Sequence, residues 1–251
     1  MSSYLITGCS RGIGFALTSL LASKPTSEVG KIFAGARHET DALKKLTTES
    51  NGRVEFIPLE VTSEQSVKQA FETVKKALGS NGLDVLINNA GIMSYTKDGI
   101  ENMSDLADTY NTNVVGVHNV TSTFLPLLRT GSQKKIINIS STLGSIGMAA
   151  FYKHQPTPAY KVAKAALNML TVQYAHELES EHFTVLAVCP GWVRTDLGSE
   201  AAHISVEQSV NGLVDIIFNA YVSKTGSFQV VKVPGLKIDG RELYDGSNRP
   251  W

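Results

Sequence analysis

The chain has only two cysteines, Cys9 and Cys189, in 251 residues. So few exclude a disulfide framework, and both are expected to be reduced, small apolar side chains. Metal-ligand spacing is missing too. The six histidines are scattered, and no metal is expected. Neither sign of charge is in excess: Lys and Arg number 23, Asp and Glu 23, and no basic run occurs. The electrostatic footprint of a nucleic-acid or anionic-membrane partner is therefore lacking. No apolar run is long enough to span a bilayer. No linker, repeat or low-complexity stretch divides residues 1–251, which are expected to form one domain. A strand pattern starts almost at Met1, leaving no room for a signal peptide, and the expected location is cytoplasmic.

What the chain does have is alternation. Runs of apolar and β-branched residues predict strands near 4–7, 31–36, 54–59, 85–88, 136–140, 185–189 and 227–231. Helical periodicity fills the gaps at 13–22, 40–49, 64–78, 103–128, 159–179 and 206–220. This order predicts an α/β fold: one doubly wound Rossmann domain, a parallel seven-stranded sheet with helices on both faces. Ligands of such sheets bind at the carboxyl ends of the strands.

Two patterns carry chemistry. The first strand runs into Gly8-Cys9-Ser10-Arg11-Gly12-Ile13-Gly14 and then a helix. Glycines there let the backbone turn tightly and approach a pyrophosphate seated on helix N-terminal amides. The spacing is Thr-Gly-x-x-x-Gly-x-Gly rather than the more common Gly-x-Gly-x-x-Gly. The second pattern is Tyr160-Lys161-Val162-Ala163-Lys164, which sets a tyrosine and a lysine one helical turn apart. An ammonium about 5 Å from a phenol favours the phenolate by roughly 3 kcal/mol at an effective dielectric of ~20. That is about two pK units, so the pair is expected to be an acid–base tuned toward neutrality.

Together these features resemble the short-chain dehydrogenase/reductase family over nearly the whole chain. Thr7 to Gly14 match its cofactor turn and Asn88-Asn89-Ala90-Gly91 its motif after the fourth strand. Asn113, Ser141, Tyr160 and Lys164 match its catalytic tetrad. Pro190-Gly191-Trp192-Val193-Arg194-Thr195 match the segment that clasps the nicotinamide end. Within the family, the chain is most similar to the C-factor and sniffer carbonyl-reductase branch, through Gly191 to Gly198 and a glycine-containing tail closing on Trp251. It also resembles fungal norsolorinic acid ketoreductases, which suggests secondary metabolism.

The resemblance implies roles. Tyr160 donates a proton to a carbonyl oxygen that Ser141 hydrogen-bonds, with Ser140 as the alternative to Ser141. Lys164 lowers the tyrosine pKa and binds the nicotinamide ribose, and Asn113 holds a water that extends the proton path. Cofactor contacts are implied at Gly8, Ser10, Arg11, Gly12, Ile13 and Gly14; at Glu60 and Val61, where the family has Asp-Val; at Asn89, Ala90 and Gly91; at Tyr160 and Lys164; and at Val193 and Thr195. The second strand ends in Ala36-Arg37, where NAD-dependent members carry an acid. Arg37 and Arg11 therefore favour the 2′-phosphate of NADP(H).

Ser141 and Tyr160 lie further apart than is usual in the family. The extra length falls in 147–158, beside the expected substrate site. Met93, Tyr95, Met148, Tyr152, Trp192 and Leu197 are expected to line an apolar pocket for a bulky aromatic or hydrophobic carbonyl, with the tetrad as its polar pole. His154 reads as a solvated loop residue and Asp84 as structural. The helices 103–128 and 159–179, the second carrying Ala163, Ala166, Leu167, Leu170 and Tyr174, suggest a homodimer or homotetramer. Reduction of a ketone or aldehyde is the leading reading. The alternatives are the same chemistry run as an alcohol dehydrogenase, and a cofactor-binding regulatory protein without turnover.

Overall fold

The computed structural model describes all residues, 1–251. Seven strands form: β1 (Ser2–Thr7), β2 (Val29–Ala36), β3 (Val54–Pro58), β4 (Val85–Asn88), β5 (Lys135–Ile139), β6 (Thr184–Cys189) and β7 (Phe228–Val230). All pair in parallel, in the order β3-β2-β1-β4-β5-β6-β7. The order reverses between β1 and β4, which opens a crevice at their carboxyl ends. The helices are α1 (Gly12–Ala22), α2 (Asp41–Glu49), α3 (Glu64–Leu78), α4 (Leu106–Tyr110), α5 (Gly116–Thr130), α6 (Pro158–Glu177) and α7 (Val206–Phe218).

The strands are apolar on both faces because both faces are covered. Tyr4 and Ile6, Val85 and Ile87, and Leu186 and Val188 pack with Leu17, Leu21, Leu43 and Leu213 from α1, α2 and α7. Their strand neighbours Leu5, Leu86 and Val185 pack on the other side with Val67, Val74, Phe124 and Ala175 from α3, α5 and α6. Helix starts follow local chemistry. Thr40 and Ser63 cap α2 and α3, Ser205 and Gln208 form a capping box on α7, and Pro158 opens α6.

The helix expected over 103–128 is not continuous. It starts at Leu106, widens into a π turn at Asn111–Val115, and resumes as α5. Backbone angles remain helical at Tyr110 and Gly116 on either side, so apolar periodicity does not register the extra residue. Beyond β7 the tail folds back on that strand, with antiparallel bridges Gln229–Asn248 and Lys232–Asp245. The Trp251 ring stacks on Phe228 at 5.5 Å.

Asp84 has the structural role expected of it. One carboxylate oxygen accepts from Ser3 N (2.8 Å) and Ser3 Oγ (3.2 Å), and the other from Ser132 N (2.7 Å), Ser132 Oγ (2.6 Å) and Gln133 N (3.3 Å). Burial pushes its pKa up, but these hydrogen bonds outweigh it and hold the group below the usual carboxylate value. Asp84→Ala strands the buried Ser3 donors and loosens the Ser132 turn, and should cost about 3 kcal/mol, read as a lowered midpoint in urea denaturation. Because the folded-state pKa is depressed, the wild-type advantage should be present above pH ~4 and fade as pH falls below it. Equal stability of the two proteins at neutral pH would refute this role.

Candidate active site

The carboxyl ends of the strands surround a cavity of about 950 Å³. Its floor at one end is the glycine turn. Thr7 Oγ1 accepts from both Asn89 N and Ala90 N at 3.0 Å, and Asn89 Nδ2 donates to the Thr7 and Gly8 carbonyls. These bonds stitch the loop after β4 to the end of β1. A Cβ on Gly14 would collide with the Gly8 carbonyl oxygen and with Asn89 Nδ2, so only glycine fits there. α1 begins at Gly12 with no side-chain cap and no acid in its first turn. Its leading N–H groups, unpaired within the helix, suit an anion.

Two arginines flank this end. Arg11 Nη1 lies 2.9 Å from Asp196 Oδ2, and Arg37 Nε 3.6 Å from Glu60 Oε2. Both guanidiniums are more than two-thirds exposed. Glu60 also accepts from Thr62 Oγ1 at 2.9 Å, so its carboxylate is turned toward its own loop and Arg37. Val61 packs against Gly116 instead, where a Cβ would lie 2.8 Å from Val61 Cγ2.

At the other end Tyr160 and Lys164 project from α6. Tyr160 is 9% exposed and Lys164 4%. The ammonium donates to the Ile139 carbonyl at 2.7 Å and sits 5.5 Å from the Tyr160 ring centre. The loop after β5 lies directly on α6 because Gly144 permits it: a Cβ there would be 2.5 Å from the Lys164 carbonyl carbon. Ser140 is buried and its hydroxyl donates to Asn168 Oδ1. Ser141 is half-buried, accepts from Leu143 N at 3.2 Å and faces Tyr160. Both serines line the cavity, but the Ser140 hydroxyl is engaged by Asn168, whereas Ser141 is the one beside the Tyr160 hydroxyl.

The acid–base tuning differs from the sequence expectation. Burial pushes the Tyr160 phenol up, the neighbouring Cys189 adds to this, and the Ser141 hydroxyl only partly offsets it. Burial likewise pulls Lys164 down to about 8, with Cys189 opposing. At these buried positions the hydration lost by both groups outweighs their mutual attraction.

Every sequence-predicted site residue lines the cavity except Asn113. Asn113 is fully buried in the π turn, behind the wall. Its Oδ1 accepts from Ile92 N and its Nδ2 donates to Ile92 O, both at 2.9 Å. Its side-chain amide is thus spent bracing the loop after β4, and Thr112 beside it lines the cavity. Val193 and Thr195 sit in the β6–α7 loop, which Trp192 pins through its indole N–H to the Gly198 carbonyl. Met93, Tyr95, Met148, Tyr152, Trp192 and Leu197 line the remaining wall, with His154 exposed at the rim.

That wall is not purely apolar, as the sequence had suggested. The tail adds Leu243, Tyr244 and Arg249, and the β6–α7 loop adds His203. Tyr244 Oη accepts from Trp192 N at 3.2 Å and lies 2.8 Å from His203 Nδ1. No motif marks these residues, and the antiparallel return of the tail brings in Leu243, Tyr244 and Arg249.

Lys164 makes the buried pair measurable. With a folded-state pKa near 8 against an ordinary 10.5, charged Lys164 opposes folding by about 3 kcal/mol. That cost is present in full below pH 8 and is relieved as pH rises to 10.5. The stability of Lys164→Met relative to wild type, from urea denaturation without nucleotide, should therefore decline by about 3 kcal/mol across this interval. A pH-independent difference would contradict the buried, strained ammonium.

Comparison with known proteins agrees with this geometry. Residues 3–204 match the family model described as short chain dehydrogenase. The chain is 34% identical over 224 residues to the short-chain dehydrogenase anuI of Penicillium roqueforti (strain FM164), covering 84% of this chain and 86% of that one. A carbonyl reductase from chicken fatty liver, solved with NADPH bound, superposes with a TM-score of 0.82 at 32% identity, covering 92% and 96% of the two chains. The carbonyl reductase Sniffer of D. melanogaster superposes over 100% of both chains with a TM-score of 0.86 at 27% identity. The chain belongs to the short-chain dehydrogenase family of oxidoreductases.

Proposed function

We propose that the protein is an NADPH-dependent reductase of ketones or aldehydes, with a preference for bulky aromatic or hydrophobic carbonyls. The observation that carries this reading is one cavity with an uncapped glycine turn at one end and, at the other, buried Tyr160 and Lys164 beside half-buried Ser141. The bound nicotinamide cofactor supplies the hydride. Gly8 to Gly14 would hold its pyrophosphate and Val193 and Thr195 its nicotinamide end, with Asn89, Ala90 and Gly91 lining the same cavity. The residues fit such a group, because the turn excludes any Cβ at Gly14 and α1 leaves its first N–H groups uncapped.

Tyr160 gives its proton to the carbonyl oxygen. Burial keeps the phenol protonated at neutral pH, which suits a donor. Ser141 hydrogen-bonds the same oxygen as negative charge builds on it. Lys164 is anchored on Ile139 O, stays mostly charged at pH 7, and stabilises the phenolate left behind. The lengthened loop 147–158 contributes Met148, Phe151 and Tyr152 to the substrate wall, which favours large substrates. Exposed Leu106, Tyr110, Val162 and Met169 on α4 and α6 support a homodimer or homotetramer. No helix is long and apolar enough to cross a membrane, and we place the enzyme in the cytoplasm.

Tyr160→Phe tests the central claim. It should lower kcat for aryl ketones about 10²- to 10⁴-fold while NADPH affinity, followed by nucleotide fluorescence, stays near wild type. A variant with normal kcat would refute the assignment of the acid.

Cofactor choice is tested at Arg37. Its pairing with Glu60 is exposed and worth little, so a 2′-phosphate can replace it. Arg37→Ala should weaken NADPH binding about ten- to a hundredfold and leave NADH binding unchanged. Equal losses for both nucleotides would show that Arg37 does not read the phosphate.

A further inference from the structure

The substrate end of the cavity holds a charged group with spare hydrogen-bonding capacity. Arg249 lines the cavity, and its side chain is only 16% exposed. A guanidinium has five N–H donors and no acceptor. Nη2 spends its donors on the Leu243 carbonyl at 2.7 Å and on Asp245 Oδ1 at 3.0 Å. Nε is enclosed with no acceptor at all. Nη1 makes no hydrogen bond within the protein. Nη1 is not enclosed, so its two free N–H donors are the ones a ligand oxygen can reach.

The partner carboxylate does not use up this charge. Asp245 is itself a third exposed, and the oxygen it offers to Arg249 also accepts from Ser247 N at 2.9 Å. The other acids on this wall, Asp239 and Glu242, are exposed at the rim, where water screens them. The surroundings of Arg249 are fixed rather than floppy. Its backbone N–H donates to the Phe228 carbonyl at 2.7 Å. The next two residues are tied to the substrate loop, with Ser145 Oγ donating to Pro250 O at 2.7 Å and Gly147 N to Trp251 O at 2.8 Å. Tyr152 lines the same wall, and the Arg249 charge is felt at its hydroxyl. The guanidinium is thus held in place by the same tail that braces the loop expected to read the substrate.

We infer that Arg249 is a specificity-determining residue that binds an oxyanion on the substrate, a carboxylate or an ionised phenol, while the carbonyl of the same molecule meets Tyr160 and Ser141. This rests on the carbonyl-reductase reading and narrows it to carbonyl compounds that carry an acidic group. Charge-assisted bonds from a fixed, half-dry guanidinium discriminate strongly against the neutral isostere, which leaves the charge unpaired.

The test compares acid and neutral pairs on the NADPH-loaded enzyme: carboxybenzaldehydes and carboxyacetophenones against their methyl esters, and hydroxybenzaldehydes against their methyl ethers, followed by NADPH absorbance. Wild type should favour the acid over its neutral partner by about tenfold or more in kcat/KM. Arg249→Met should erase that preference by slowing the acid about tenfold more than its neutral partner, with NADPH affinity near wild type. Preference for carboxylates alone, or for phenols alone, identifies which oxyanion is read. If wild type shows no preference, or Arg249→Met slows acid and neutral substrates alike, the inference is overturned.

A panel without any turnover defeats the reductase reading but not this one. Calorimetric binding of carboxyacetophenone and its ester to the holoenzyme then decides, tighter binding of the acid supporting the inference and equal binding overturning it. If Arg249→Met proves unfolded by circular dichroism, Asp245→Asn decides in its place. Freeing the guanidinium from its carboxylate should tighten acid binding severalfold, and unchanged binding overturns the proposal.

Discussion

The site depends on one junction, the hydrogen bonds between the end of β1 and the loop after β4. Thr7 Oγ1 takes both Asn89 N and Ala90 N, and the Asn89 amide returns to the Thr7 and Gly8 carbonyls. Sheet order reverses here, so the loops after β1 and β4 would otherwise part and leave unpaired backbone in the crevice. The stitch satisfies those groups and fixes the glycine turn against the β4 loop. Asn113 braces the same loop from behind through the Ile92 peptide. A floor built this way is rigid without bulky side chains, and that is why it can remain open to a ligand.

The opposite end is governed by dehydration. Tyr160 and Lys164 lie on one face of α6, pressed under the Ser141 turn by the close approach at Gly144. Burial raises the phenol and lowers the ammonium, shifting both toward neutrality of charge rather than toward an ion pair. The fold therefore stores an unfavourable charge on Lys164 that the Ile139 carbonyl only partly offsets. A buried phenol that holds its proton is a competent donor to an oxygen becoming an alkoxide. On the proposed mechanism, the ammonium beside it matters most after the proton has left.

Much of this was legible in the sequence. Seven strands and their parallel order follow from apolar runs alternating with helical periods, because a sheet covered on both faces must be apolar on both. The glycine turn and the Tyr160–Lys164 pair were readable because each chemistry demands particular residues at short spacing. The π turn was not readable: it changes the hydrogen-bond register by one residue while keeping helical angles, so its apolar pattern looks like an ordinary helix. The sign of the Tyr160 shift was missed for a related reason. Spacing reports the distance between two charges, whereas burial, which decides here, is set by residues far away in the chain.

The second polar cluster shows the same limit most sharply. Arg249 is 85 residues beyond Lys164 in the numbering and reaches the cavity only because the tail returns antiparallel along β7. Nothing local to Asn248-Arg249-Pro250 suggests a binding role. What holds that return is dispersed: Trp251 stacked on Phe228, the Pro250 and Trp251 carbonyls accepting from Ser145 and Gly147, and the Arg249 amide on Phe228. The tail and the loop 147–158 therefore form one wall, each fixing the other. Chemistry common to the family is encoded in short motifs at the strand ends. On the proposed reading, the choice of substrate lies in a contact between two segments that share no motif, so it can change without disturbing the floor or the Tyr160–Lys164 pair.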